Sequence, residues 1–460
     1  MRISVIGAGY VGLVSGVCLA EVGNQVVCAD RIPDRVNSIL RGSSPIYEPG
    51  LDRLLRRNLD NGHLTATVDS AQAVLNSDAT IIAVATPCTN GMIDLSQVKE
   101  AVRETGQALR NKPRYHVVAV KSTVVPSTTD TIVKPILEKS SGKSLGEFGL
   151  CTNPEFLREG NAVEDFLKPD RIVIGSNDEK SFRVFKRIYS AFRCPILHTN
   201  LRTAEMIKYA GNSLLAALIS YSNEVASIGE AIGGIDVVDV MNGVHLDSRL
   251  TPIVNGPAKS FNRRVSPGIL VYLKAGCGYG GSCLPKDVQA LYAFTKKIGY
   301  EPQLLKSVIG INKHQPLRLV SRLSKEMRGL QNKKVAVWGL AFKPDTDDVR
   351  ETPAKPIVDS LVRAGARVSV YDPIASENAR KTLFKTCMIR YAEDKLEAAR
   401  GAHALVVVTA WAQFKGVDFQ KLTKLMRRNA IVVDGRRIYT RESVLRAGLR
   451  YLGVGYEELK

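Results

Sequence analysis

The chain has 460 residues, is 45% hydrophobic and 24% charged, and carries a formal net charge of +19. That length exceeds one simple core and predicts two or three domains, and no apolar run approaches the ~20 residues that span a bilayer. The basic excess is dispersed in short pairs such as Arg56-Arg57 and Arg263-Arg264. With no basic tail, RNA-reading aromatic motif or zinc finger, neither a nucleic acid nor a membrane is an expected partner.

The N-terminus, Met1-Arg2-Ile3-Ser4-Val5-Ile6-Gly7, runs directly into a strand and a glycine turn and lacks a leader's cleavage site, which predicts a cytoplasmic protein. Apolar strands with little polar alternation are predicted at Arg2–Ile6, Gln25–Ala29, Ala79–Ala85, His116–Val120 and Arg171–Ile174. Such runs suit parallel strands buried on both faces, hence an α/β doubly wound sheet. Gly7-Ala8-Gly9-Tyr10-Val11-Gly12 follows the first strand, and Asp30 closes the second. This is a dinucleotide fingerprint. Gly7 makes the turn, Gly9 admits the pyrophosphate to the backbone, Gly12 lets the helix pack, and the anion sits at the helix N-terminus. Asp30 would bind the ribose hydroxyls and repel a 2′-phosphate, so NAD is expected over NADP; Arg31 and Arg35 are the residues that could reverse this.

From Glu205 to Gly233 the chain holds no proline and is dense in Ala, Leu, Ile and Met, which predicts one long helix with a glycine stop. Its apolar positions exceed a single face, so burial on several sides, at the centre of a dimer, is expected. After Lys333 the strand pattern returns: Lys334–Leu340 echoes Arg2–Ala8, Arg367–Asp372 echoes Gln25–Asp30, and the run from His403 echoes the one from Asp78. Three correspondences in the same order predict a second, divergent nucleotide-binding fold that keeps one glycine at its first turn. The expected division is 1–199, 200–329 and 330–460.

Eight cysteines show no C-x-x-C pair and no Cys/His metal spacing, so no metal site is expected and most thiols should be inert fillers. Cys283 differs. It follows the glycine-rich Ala275-Gly276-Cys277-Gly278-Tyr279-Gly280-Gly281-Ser282 and precedes Leu284-Pro285-Lys286-Asp287. The loop suits a backbone that approaches a ligand, and a neighbouring cation lowers a thiol's pKa. A hydride acceptor plus a positioned thiol can carry an alcohol past the aldehyde to the acid. Lys208 and Asn212 lie four apart on the long helix and share a face, where an ammonium and an amide could stabilise oxyanions. Glu155 and Asp287 are candidates for proton transfer or for positioning water, and Thr123 could hold that water; Glu159 is the weaker carboxylate.

With the two glycine motifs, Val84–Pro87, Lys121-Ser122-Thr123, Asn153–Gly160, Glu205–Lys208 with Asn212, Gly339–Lys343 with Arg350, and Asp434-Gly435-Arg436, the chain resembles the UDP-glucose/GDP-mannose dehydrogenase family over essentially its whole length. The resemblance implies two Rossmann-like domains joined by a central helical domain. It implies NAD-dependent, four-electron oxidation of a nucleotide sugar at C6 through a Cys283 thiohemiacetal and thioester, with Lys208, Asp287, Glu155, Thr123 and Asn212 as the other catalytic residues. UDP-glucose to UDP-glucuronate is the expected conversion; GDP-mannose or another nucleoside diphosphate sugar is the alternative. It further implies that Gly7, Gly9, Tyr10, Val11, Gly12, Asp30, Arg35, Thr86, Thr123, Glu159, Lys286 and Arg350 contact NAD. The sugar nucleotide would meet Glu155, Phe156, Leu157, Lys208, Asn212, Arg249, Tyr272, Gly276, Phe342, Lys343 and Arg436, with Arg249 reaching across a homodimer. Leu284 and Ala275 depart from the pattern by standing where phenylalanine and proline are usual, and Thr251–Ser266 is extra sequence read as a loop, whose Arg263 or Arg264 could replace Arg249. Two other classes compete. A two-electron hydroxyacid-type dehydrogenase has no use for Cys283, and a nucleotide-sugar-binding regulator needs none of Cys283, Lys208 and Asp287.

Overall fold

A computed structural model describes residues 1–89, 91–254, 263–384 and 388–458. The chain divides into two compact units, Met1–Gly211 and Asn212–Lys460.

The first unit is built on an eight-stranded sheet. In spatial order its strands are Ile196–Thr199, Ile172–Ser176, Gly149–Thr152, Val117–Val120, Ala79–Ile82, Arg2–Ile6, Gln25–Ala29 and Leu64–Thr67. Arg2–Ile6 lies at the centre, parallel to both neighbours, with Ile3 opposite Val26 and Ala79. The order is that of a doubly wound nucleotide-binding fold. Val, Ile and Ala dominate the central strands because helices cover both faces: Ile3, Val5, Ile81, Val117 and Val120 have no exposed surface. The sheet is not wholly parallel, however. Gly149–Thr152 and Ile172–Ser176 run antiparallel, pairing Cys151 with Ser176, and the edge strand Ile196–Thr199 pairs parallel to Ile172–Ser176, so the last two strands oppose the rest.

Strand boundaries differ slightly from expectation. The strand predicted to reach Ala85 ends at Ile82, whose carbonyl accepts both the Lys121 and the Ser122 amides, which turns the chain out of the ladder. Those predicted at His116–Val120 and Arg171–Ile174 span Val117–Val120 and Ile172–Ser176. The long helix runs Leu201–Ile232, starting four residues earlier than read.

The second unit holds the remainder of that helix, the helices Val237–His245, Leu284–Lys297 and Gln303–Glu326, and a six-stranded parallel sheet. The sheet order is Ile389–Tyr391, Arg367–Tyr371, Lys334–Trp338, Ala404–Val407, Ile431–Asp434 and Arg450–Gly453. Lys334–Trp338, Arg367–Tyr371 and Ala404–Val407 pair as Arg2–Ile6, Gln25–Ala29 and Ala79–Ile82 do, so the repeat read from sequence is a repeat of topology. Trp338 and Phe414, both fully buried, stack at 5.1 Å in its core.

In the single chain the long helix leaves one stripe exposed: Leu214, Tyr221 and Ile228 are each 53% exposed, spaced seven residues apart. One expectation is corrected. The extra sequence Thr251–Ser266 is not all loop. Ile253–Val254 pairs antiparallel with Arg263–Arg264, and residues 255–262 between them lie outside the described residues.

Candidate active site

The glycine turn of the first unit is shaped by what a side chain would strike. Gly7 sits at φ +95°, and a Cβ there would come within 2.8 Å of the Ala83 carbonyl oxygen. At Gly12 it would lie 1.8 Å from the Gly7 oxygen, whereas at Gly9 nothing lies within 4 Å. Gly7 and Gly12 therefore keep strand and helix close, and Gly9 leaves its backbone open. The helix Tyr10–Glu21 begins there, with free amides and the positive end of its dipole. Asp30 is 7% exposed; it accepts hydrogen bonds from the Ala8 and Ile32 amides and pairs with Arg35 at 2.8 Å. Arg35 thus lies against Asp30 itself, and Arg31 pairs outward with Glu100 at 3.0 Å. The Thr86 hydroxyl donates to the Thr123 carbonyl at 2.9 Å, joining two more residues expected at NAD. An open amide turn with a carboxylate at the end of the next strand fits an adenine dinucleotide.

The Asn153–Gly160 loop follows the strand Gly149–Thr152. Glu155 is 6% exposed; it pairs with Lys208 at 2.8 Å and accepts the Leu157 amide at 2.6 Å. Burial alone would raise its carboxyl, but the Lys208 charge and these hydrogen bonds hold it below the usual range, so it is ionised at neutral pH. Phe156 lies beneath two cations, with the Arg171 guanidinium 4.0 Å and the Lys208 ammonium 5.7 Å from its ring centre. Sequence reasoning passed over Lys121 as a mere part of a matching block. It is 4% exposed and donates to Asn153 Oδ1 at 3.0 Å, and burial, partly offset by Glu155, pushes it down to about 8. Its signal was a lysine at the end of an otherwise apolar strand.

In the second unit Cys283 caps the helix Leu284–Lys297, with Pro285 in its first turn. Its Sγ lies 3.5 Å from the Ser282 hydroxyl, and its carbonyl accepts the Asp287 amide. Asp287 is 1% exposed and is held by two site candidates, the Lys286 ammonium and the Asn212 amide at 2.6 Å. The Lys286 charge is therefore directed at Asp287.

The glycine run rests on the second sheet's loops. Cys277 is fully buried, burial raises its thiol, and it points to the Val408 carbonyl at 3.4 Å. Gly276 is held by Asn223 and Gln315 at 2.8 Å each. Gly281 donates to the Arg350 carbonyl at 3.0 Å and packs on the Phe342 ring, and the Lys343 ammonium lies 5.8 Å from that ring's centre. The Arg350 side chain pairs with Asp348 at 2.7 Å. Arg436, expected on a diphosphate, donates to three carbonyls: Val408 at 2.6 Å, Gly278 at 3.0 Å and Phe342 at 3.4 Å. Arg249 is 88% exposed and bonds Asp247 at 3.0 Å, and Tyr272 ends the short helix Gly268–Tyr272.

Family models match the chain in three consecutive blocks. These are the NAD binding domain of the UDP-glucose/GDP-mannose dehydrogenase family over residues 1–193, its central domain over 202–314 and its UDP binding domain over 336–441. The chain belongs to the UDP-glucose/GDP-mannose dehydrogenase family. Among similar proteins, UDP-glucose 6-dehydrogenase AglM of Haloferax volcanii is 41% identical over 98% of this chain and 99% of its own. UDP-glucose 6-dehydrogenase TuaD of Bacillus subtilis is 40% identical over 99% and 93%. A solved UDP-glucose dehydrogenase from Pyrobaculum islandicum superposes with TM-score 0.87 at 38% identity, covering 99% of this chain and 97% of that one. As a member of this dehydrogenase family the chain is an NAD-dependent nucleotide-sugar dehydrogenase. No helix among its described residues is long and apolar enough to cross a membrane.

Proposed function

We propose that the chain is a UDP-glucose 6-dehydrogenase that oxidises the C6 hydroxyl to the carboxylate, giving UDP-glucuronate. The observation that carries this is Cys283 at the start of a 14-residue helix, one turn before a buried Asp287 held by Lys286 and Asn212. A helix N-terminus favours a thiolate, and a simple two-electron dehydrogenase has no need of one. The sugar is inferred from the relatives' names.

NAD, when bound, takes the hydride in each of the two oxidations. The protein's part is proton handling, charge stabilisation and covalent capture. In the first step an acceptor removes the C6 hydroxyl proton as the hydride leaves; ionised Glu155, through water held by Thr123, is suited to it. The Cys283 thiolate then adds to the aldehyde carbon. The resulting oxyanion is met by the Lys208 ammonium and the Asn212 amide, one helical turn apart. Loss of the second hydride leaves a thioester. Water, activated by Asp287 or Glu155, adds to its carbonyl and expels the thiolate, which restores Cys283 and yields the carboxylate.

Around this chemistry, Phe156, Leu157, Tyr272, Gly276, Phe342, Lys343 and Arg436 are assigned to the sugar nucleotide, and Glu159, Lys286 and Arg350 to the dinucleotide. Arg436, bonded to three carbonyls, acts chiefly as a brace of the glycine run. The exposed stripe Leu214, Tyr221 and Ile228 supports a homodimer, in which exposed Arg249 serves the partner's site. We place the protein in the cytoplasm and divide it at residues 199 and 329.

NADH formed per sugar consumed tests the reading, with UDP-glucose, GDP-mannose and a UDP-hexosamine as substrates. Two NADH per UDP-glucose with uronate as product is the expected result. One NADH with free aldehyde released refutes the four-electron reaction, and preference for another sugar refutes the substrate. Cys283→Ser should spare the first hydride transfer and abolish turnover to the acid.

A further inference from the structure

The turn Tyr47-Glu48-Pro49-Gly50 belongs to none of the motifs that point to function, yet it places a carboxylate in the interior of the first unit. Glu48 is 7% exposed. Its Oε2 accepts the Tyr10 hydroxyl and, at 2.8 Å, the Gly160 amide; its Oε1 accepts the Ala162 amide at 2.7 Å. The Gly160 amide also lies 3.2 Å from the Tyr10 hydroxyl oxygen. Three donors from two distant segments therefore meet on one buried anion. Burial first, and then Glu48 itself, push the Tyr10 phenol well above its ordinary value, so it keeps its proton and donates.

The positions of the two segments give this hub its interest. Tyr10 stands between Gly9 and Gly12 and is the first residue of the helix at the dinucleotide turn. Gly160, at φ +83°, and Ala162 close the loop that carries Glu155, Phe156, Leu157 and Glu159. The same buried carboxylate fixes both. A displacement at the turn must either move that loop or break a hydrogen bond to a buried charge, a costly loss.

We propose that Glu48 is a positioning residue that couples the dinucleotide turn to the Glu155 loop, so that NAD or NADH on the turn orders residues 154–162. By linkage, a sugar nucleotide held by that loop then strengthens dinucleotide binding by the same factor. This second consequence rests on the assignment of the loop to the sugar nucleotide; the first does not.

The test is hydrogen exchange on the full chain with and without NADH, in the wild type, Glu48→Gln and Tyr10→Phe. In the wild type NADH should slow exchange across 154–162. In either variant that protection should shrink by at least about fivefold, the low end of typical couplings. Tyr10→Phe leaves both amide bonds on Glu48, so it carries the test if Glu48→Gln fails to fold. The companion measurement is the NADH dissociation constant with and without UDP-glucose, which cannot turn over with the reduced cofactor. The wild-type ratio should collapse toward one in Tyr10→Phe. Unchanged protection of 154–162 in a folded variant, or no protection in the wild type, overturns the coupling and leaves Glu48 a staple of the fold. A wild type that shows the protection but does not oxidise UDP-glucose refutes the functional reading and leaves the coupling standing.

Discussion

The two sheets begin alike and end differently. Arg2–Ile6 leads into Gly7 at φ +95°, and Lys334–Trp338 leads into Gly339 at φ +97°. Each turn is closed by a carboxylate at the end of the next strand, Asp30 accepting the Ala8 amide and Asp372 the Leu340 amide. The divergence comes one residue later. Gly9 and Gly12 correspond to Ala341 and Pro344, and no helix starts at the second turn; the next begins at Ala354. Asp372 also takes the Ala341, Ile374 and Ala375 amides and the Trp411 indole, which leaves it fully occupied. The amides that an anion could use are consumed by the fold. The second copy uses its loops to hold the glycine run before Cys283, through the Gly281 amide on the Arg350 carbonyl and Arg436 on the Gly278 carbonyl. A strand, a left-handed glycine and a carboxylate are thus the scaffold of the motif. Binding a pyrophosphate requires in addition a helix that starts at once and unspent amides.

The largest effect should come from Gly12→Ala, whose Cβ would lie 1.8 Å from the Gly7 oxygen. It should cost about 3 kcal/mol in denaturant unfolding of the first unit, the upper range for overpacking. Next is Gly280→Ala, whose Cβ would lie 2.4 Å from the Glu351 carbonyl oxygen. This shifts the Cys283 loop, so kcat should fall on the order of 100-fold, a much larger loss than that of NADH affinity measured by fluorescence. A matched loss of NADH affinity would break the division of labour between the two sheets. Asp372→Asn turns an amide donor onto amide donors and should cost about 2 kcal/mol of stability without changing the KM for NAD. Gly9→Ala should leave the melting temperature unchanged and raise that KM about tenfold, the loss of one close backbone contact.

How much of this was legible in the sequence depends on how local each signal is. The strands at Arg2–Ile6 and Gln25–Ala29 and the Gly7–Asp30 fingerprint are written in consecutive residues, and all lie where they were read. The strands Leu64–Thr67, Gly149–Thr152 and Ile196–Thr199 were not read, since each is four residues long and mixes polar with apolar side chains. The antiparallel pairing of Gly149–Thr152 with Ile172–Ser176 has no local signature at all. Glu48 sits in a Pro-Gly turn that reads as surface, and two of its three partners lie more than 100 residues away. Arg436 was legible as a charge; its commitment to three backbone carbonyls was not, because those carbonyls come from three separate loops.

The smallest effect makes the sharpest comparison. Ala341→Gly restores to the second turn the residue type that Gly9 supplies in the first. If the glycine alone made the anion site, this change would add dinucleotide affinity to the second unit. It should not: the amide of residue 341 still donates to Asp372 at 3.1 Å, and no helix dipole points at the turn. The expected result is a loss of about 0.5–1 kcal/mol of stability from the freer unfolded chain, with calorimetric NADH binding still at one site per chain. A second binding site in this variant would show that the glycine was the missing part, and that the spent amides and the delayed helix were not.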